Sequence, residues 1–157
     1  MITKTKGRRS LTDQRGAALV EMALVLPLLV LLLFGIIEAS WAFAQQNDVR
    51  YGAREGARSA AVNSGDVAAV GQIVCDRMDV VNPSEGVTVT LTPITASGST
   101  GGLATIRVDA GLQDLTGFFG PLFSGTVSSD IEFRTEQPSD GDPAWWNGGA
   151  PGVFACP

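Results

Sequence analysis

The sequence holds no histidine, two lysines, two cysteines and one tyrosine among its 157 residues. Without histidine, Ser-His-Asp triads, histidine metal sites and the usual near-neutral proton carrier are excluded. Cys75 and Cys156 stand too far apart for a C-x-x-C redox motif. Charge is also scarce: Asp, Glu, Lys and Arg make up 17% of the chain, against ~25% in ordinary soluble domains. What charge there is falls unevenly. Through Gly16 there are five basic residues (Lys4, Lys6, Arg8, Arg9, Arg15) and one acidic (Asp13), a balance of +4, so the remainder carries −9 of the total −5. A downstream portion that acidic is unsuited to phosphate neutralisation, and no nucleic-acid partner is expected. The length suits one domain of ordinary size.

The sequence is rich in apolar residues, 45% of the total, and they are concentrated. Met22 to Ile37 is sixteen residues without a charge, and Ala17 to Ala44 is a 28-residue stretch interrupted only by Glu21 and Glu38. A bilayer core of ~30 Å needs about 20 helical residues, so this segment can span a membrane. A soluble domain this short has too little chain left to wrap such a helix on all sides. The basic cluster precedes the run and Gln45-Gln46-Asn47-Asp48 follows it, which by the positive-inside rule places residues 1–16 in the cytoplasm and residues from about 45 onward outside. The organisation expected is therefore a basic leader 1–16, a membrane helix 17–44, an extracytoplasmic domain 45–136 and a tail 137–157. Ala42-Phe43-Ala44 fits a signal-peptidase site and Arg8-Arg9 a twin-arginine signal in outline, but the apolar run is longer than a removable one, and Trp41 and Phe43 suit interfacial anchors.

Glu21 is the informative residue. A carboxylate inside an apolar helix costs roughly 2.5–3.5 kcal/mol on insertion scales, so it marks function and calls for a partner. Cleavage after Gly16 would put a new amine on Ala17, with Glu21 as the fifth mature residue. The amine of one subunit could then neutralise Glu21 of its neighbour in a low-dielectric bundle, offsetting the burial of both charges.

Arg15-Gly16, Ala17-Ala18-Leu19-Val20-Glu21, the Gly16–Glu21 spacing, Pro27 in the apolar run, Gly35-Ile36-Ile37-Glu38 and Gly52-Ala53-Arg54-Glu55-Gly56-Ala57-Arg58 together resemble the TadE-like minor pseudopilins of the tight-adherence (Flp, type IVb) pilus system. The likeness is strong over about residues 15–62 and general beyond. Met22 departs from it, since the family usually has an aromatic residue after the glutamate. The resemblance implies processing between Gly16 and Ala17 by a prepilin-type peptidase, and roles in helix assembly and register for Glu21, Pro27 and Glu38. It further implies a bacterial inner-membrane location and, as partners, membrane lipid and other pilus-assembly subunits.

Helical periodicity continues past the apolar run to about Val62. Val49, Ala53, Gly56 or Ala57, and Ala60 form a small-residue stripe that lets another element approach closely. Arg50, Arg54 and Arg58 recur every fourth residue on another face, where like charges call for acidic company. Either Glu55 supplies it to a solvated face, or a partner does. Asn63-Ser64-Gly65-Asp66 stops the helix and caps the next one, whose apolar positions are Val67, Val70, Val74, Met78 and Val81, up to Asn82-Pro83. From Gly86 the period becomes two: Val87, Val89, Leu91, then across a Ser97–Gly102 hairpin loop Ala104, Ile106, Val108. An irregular apolar stretch, Leu112 to Phe123, leads to a third strand near Val127–Thr135, with Ile131 and Phe133 facing inward. The fold expected is α+β: a long N-terminal helix, a second short helix and a small antiparallel sheet of about three strands.

The Pro- and Gly-rich tail from Gln137 carries Trp145, Trp146 and Phe154, too many aromatics for a disordered end, so part of it should dock. Cys156 would hold it by a disulfide to Cys75, the only other cysteine and on the same oxidising side.

Chemistry is sparse. Asp140-Gly141-Asp142 is broken by Pro143 as a calcium loop, and the glycines around 98–102 lack the lysine of a phosphate loop. No catalytic residue, metal or cofactor is expected, and the chain reads as a structural or assembly protein and not an enzyme. An alternative is a secreted or tethered extracytoplasmic binding module working through Trp145-Trp146, with the apolar segment only a signal or anchor.

Overall fold

The computed structural model describes residues 11–62, 66–82, 86–93, 103–117, 120, 125–134 and 151–157. Lys4, Lys6, Arg8 and Arg9, the Asn63–Gly65 stop, Pro83, the Ser97–Gly102 loop, Asp140-Gly141-Asp142 and Trp145-Trp146 lie outside these residues. The chain divides into two compact units, Met1–Ile37 and Glu38–Pro157.

Helix α1, Leu11–Val62, begins in the first unit and supplies the first element of the second. In the first unit its apolar side chains, from Leu19 and Val20 through Leu28 and Leu32 to Ile37, are exposed. The helix is long and apolar enough to cross a membrane, and none of its most apolar window is buried. Pro27 lies inside it, where it forgoes one backbone hydrogen bond to the preceding turn.

The second unit packs α1 from Glu38 onward and α2 (Val67–Arg77) against strands β1 (Thr88–Pro93), β2 (Leu103–Gly111), β3 (Thr126–Arg134) and β4 (Gly152–Ala155). The sheet order is β3-β2-β1-β4, antiparallel throughout. Its register follows from the alternation in the sequence. Leu91 pairs with Ile106 and Val89 with Val108, which puts the alternating apolar side chains of both central strands on one face, with only Leu103, at the start of β2, on the other. Val87, Val89, Leu91, Ala104, Ile106, Val108 and Ala110 are all buried, while Arg107 on the other face bonds Asp109 at 2.9 Å and approaches Asp130 at 3.7 Å. The Asp109 hydrogen bond, then the charges of Asp109 and Asp130, raise the Arg107 pKa above its ordinary value.

The small-residue stripe is the helical half of this core: Val49, Ala53 and Ala60 are fully buried and Ala57 nearly so. Its purpose is closeness. A β-carbon on Gly56 would fall 2.5 Å from both Ile106 Cδ1 and Val74 Cγ2, so helix and sheet meet there only because the side chain is missing. At Gly71 of α2, likewise, a β-carbon would collide with the ring of Phe154.

Two elements differ from the sequence expectation. The tail contributes a fourth strand, β4, pairing with β1 from Thr88↔Ala155 to Leu91↔Gly152. It is tied down by the Cys75–Cys156 disulfide, with a Cα–Cα distance of 5.9 Å, and by the Cys156 N–H donated to Val87 O at 3.0 Å. Helix α2 starts where expected, with the Asp66 carboxylate accepting from Ala68 and Ala69 N–H, but it ends at Arg77. Met78 and Val81 are buried all the same, because the backbone beyond Arg77 has a better acceptor than another helical turn, the carboxylate of Asp48.

Candidate functional site

Glu38, Gln45 and Asp48 are buried polar side chains on α1. At 100° per residue they fall within about 80° of each other around the helix, forming a polar ladder above the small-residue stripe. Each rung holds backbone of a connecting segment. Asp48 accepts from Val80 and Val81 N–H at 2.9 Å and from Asp79 N–H at 3.3 Å, a concave anion seat that replaces helical bonds. Gln45 brackets one residue from both sides, donating to Gln113 O at 2.6 Å and accepting from Gln113 N–H at 2.8 Å. Glu38 accepts from Leu115 N–H at 2.9 Å and from the Thr116 hydroxyl at 3.0 Å. A carboxylate that is 1% exposed has its two oxygens met by donors, which keeps its burial affordable.

Glu38, expected to act in membrane-helix assembly and register, accepts its bonds from the 115–116 segment of its own unit. Gln45 and Asp48 were passed over as a polar flank. The signal for Gln45 and Glu38 lay in the periodicity: stepping back from Val49 by four residues reaches Gln45, and by seven more Glu38, so both extend the buried stripe, while Asp48 directly precedes Val49.

The other expected residues stand apart from the ladder. Gly16 has open space where a side chain would be, and Ala17 and Glu21 are exposed on α1. Glu21 lines a shallow groove with Ala18, Met22 and Val25, and among the described residues it makes no hydrogen bond or ion pair. An anionic group on an otherwise apolar surface is what a buried assembly contact would need and what lipid alone would oppose. Arg50, Arg54 and Arg58 are all exposed. Arg54 lies over the Tyr51 ring, 5.8 Å from its centroid. Glu55, expected to serve Arg58, instead approaches Arg77 of α2 at 3.9 Å. No group of three or more potential metal ligands is found among the described residues.

Residues 16–58 match the model of one protein family, described as TadE-like protein. The match spans the exposed apolar segment, the ladder and most of the small-residue stripe, and leaves out α2 and the sheet. No curated protein and no solved structure matches the chain.

Proposed function

We propose that this TadE-like protein is a minor pseudopilin-like assembly subunit of a Tad pilus. It is anchored by one membrane helix, with residues 1–16 in the cytoplasm and the disulfide-closed domain outside. The observation that carries the reading is Glu21, a carboxylate on an exposed apolar helix face and without a partner among the described residues, in a segment whose family match begins at Gly16. We shorten the expected span of 17–44 to Ala17–Ile37: these 21 residues, about 31 Å of helix, match a bilayer core of ~30 Å, and from Glu38 onward the helix belongs to the folded unit.

A prepilin-type peptidase cuts between Gly16 and Ala17. The resulting amine on Ala17 lies one turn from Glu21 and neutralises the Glu21 of a neighbouring helix, which fixes axial register between subunits. Pro27 contributes a local site where the helix can bend, because it lacks one backbone hydrogen bond. Arg50, Arg54 and Arg58 are the face offered to an acidic neighbour, since their own unit leaves all three exposed. Charge reversal at all three should cost pilus assembly while the Cys75–Cys156 disulfide still forms.

N-terminal sequencing of the mature protein, together with pilus counts in a Glu21→Ala strain, tests the reading. The expected result is a chain starting at Ala17 and a large loss of pili with the variant still in the membrane. A chain starting at Met1 would remove the processing step, and full piliation with Glu21→Ala would remove the assembly role. A start at Gln45 would favour the secreted binding module.

A further inference from the structure

Strand β3 is the long outer edge of the sheet, and the direction of each of its backbone groups can be worked out. Leu112 N–H donates to Gly125 O at 2.9 Å, one step past the Gly111↔Thr126 pair at the end of the β2–β3 register. Bonded and non-bonded pairs alternate along an antiparallel ladder. Val127, Ser129, Ile131 and Phe133 therefore bond β2, while Thr126, Ser128, Asp130, Glu132 and Arg134 turn their N–H and C=O groups outward. No strand lies on that side among the described residues, and none of the five has a backbone bond there.

The usual protections of such an edge are missing. The nine residues of β3 pair with β2 without a bulge and include no proline and no lysine. No charged residue of the strand points toward the helices. Val127, Ile131 and Phe133 do, and they are only partly buried against the core. The opposite edge, β4, is four residues long and offers much less backbone.

Charge and shape name what fits. A strand laid along β3 meets Asp130 and Glu132 at alternate positions of the outer face, both exposed. Opposite charges across a strand pair stabilise it and like charges oppose it. A second copy paired antiparallel over all nine residues would set Asp130 against Asp130, so the edge selects against itself. On the helix side, the residue opposite Val127 would stand beside the apolar groove that Val127 lines with Ala39, Ala42, Phe43 and Leu112. In strand addition the backbone rungs supply affinity, and pockets for alternate side chains supply selectivity.

We propose that β3 is an open docking edge for an extended segment of another protein, with basic residues opposite Asp130 and Glu132 and a large apolar residue opposite Val127. The inference concerns Glu38–Pro157 alone, and it stands or falls apart from the processing and membrane readings above.

The probe is a fluorescein-labelled peptide, TVKVKTTLT, whose antiparallel alignment puts its lysines opposite Glu132 and Asp130 and its leucine opposite Val127. Binding to the full-length protein in detergent, with the Cys75–Cys156 disulfide intact, is read by fluorescence anisotropy, and amide exchange by NMR. The expected result is binding with slower exchange at Ser128, Asp130 and Glu132, whose N–H groups gain acceptors, and no change at Ser129 and Ile131. Binding should fall about tenfold or more when both lysines are replaced by glutamate. It should also fall when the backbone nitrogens of the lysines are methylated, which keeps the charges and removes rungs of the ladder. Ser128→Pro, which lacks only an outward N–H, should keep the disulfide and the unfolding midpoint and lose the peptide. If that variant does not fold, Asp130→Lys with Glu132→Lys replaces it and should prefer the glutamate peptide. Absence of binding overturns the proposal, as does binding that ignores backbone methylation, because charge or the groove alone would then hold the peptide. Slow exchange at the same amides in peptide-free protein that runs as a dimer also overturns it, since the occupant would be a second copy.

Discussion

Asp48 shows how one side chain decides a chain path. Its carboxylate receives three consecutive backbone N–H groups, those of Asp79, Val80 and Val81, so α2 stops and the backbone turns with Met78 and Val81 still in the core. Asp48→Ala leaves those donors without their acceptor in a largely buried place. Each costs about 1–3 kcal/mol when fully orphaned. Water will reach some of them, so a loss of about 3 kcal/mol is expected for the variant, read as a lower midpoint in chemical denaturation of the detergent-solubilised protein. Asp48→Asn, which keeps an acceptor oxygen and loses the charge, should lie between. None of this was legible from composition, because an Asp in a polar tetrad after an apolar run looks like solvated flank. Only its one-residue offset from Val49 placed it beside the core. Glu21 was legible for the opposite reason: a carboxylate among leucines conflicts with its surroundings, and that conflict points to a role.

At the scale of elements, period-two alternation placed the central strands and the small-residue stripe placed the packing face of α1, since both patterns report burial directly. Strand β4 carries no such pattern. Gly152–Ala155 is four residues long, too short for alternation to show, and its docking is set by distant partners: the disulfide, the Val87 carbonyl and the space over Gly71 that accepts Phe154. The strand thus depends on its tether more than on its ladder. A loop closed across a separation of 81 residues contributes on the order of 4 kcal/mol in the chain-entropy model. Reduction, or Cys75→Ser, should lower stability by about that amount. Its local signature is more specific: hydrogen exchange at β4, and at the β1 amides that pair with it, should accelerate well before exchange between β2 and β3. Equal protection of β4 before and after reduction would show that pairing and Phe154 suffice.

For the molecule as a whole, the scarcity of lysine becomes a topological tool. Lys4 and Lys6 are the sequence's two lysines, and both precede Gly16, as do Arg8, Arg9 and Arg15. If the basic segment lies inside and is removed, two consequences follow together. The uncut chain should resist a membrane-impermeant amine reagent in whole cells and react with it in inverted vesicles, because its amines face the cytoplasm. Residues 17–157 contain no lysine, so once the leader is removed this stretch should survive denaturing digestion with endoproteinase Lys-C uncut. Its only amine, the new one on Ala17, should also react poorly in assembled material, where Glu21 of a neighbour holds it, and readily after detergent dispersal. Labelling of Lys4 or Lys6 from outside intact cells would reverse the orientation. Lys-C cleavage of protein from assembled pili would show that the leader stays on, and with it the Ala17 amine that the Glu21 contact requires would be lost.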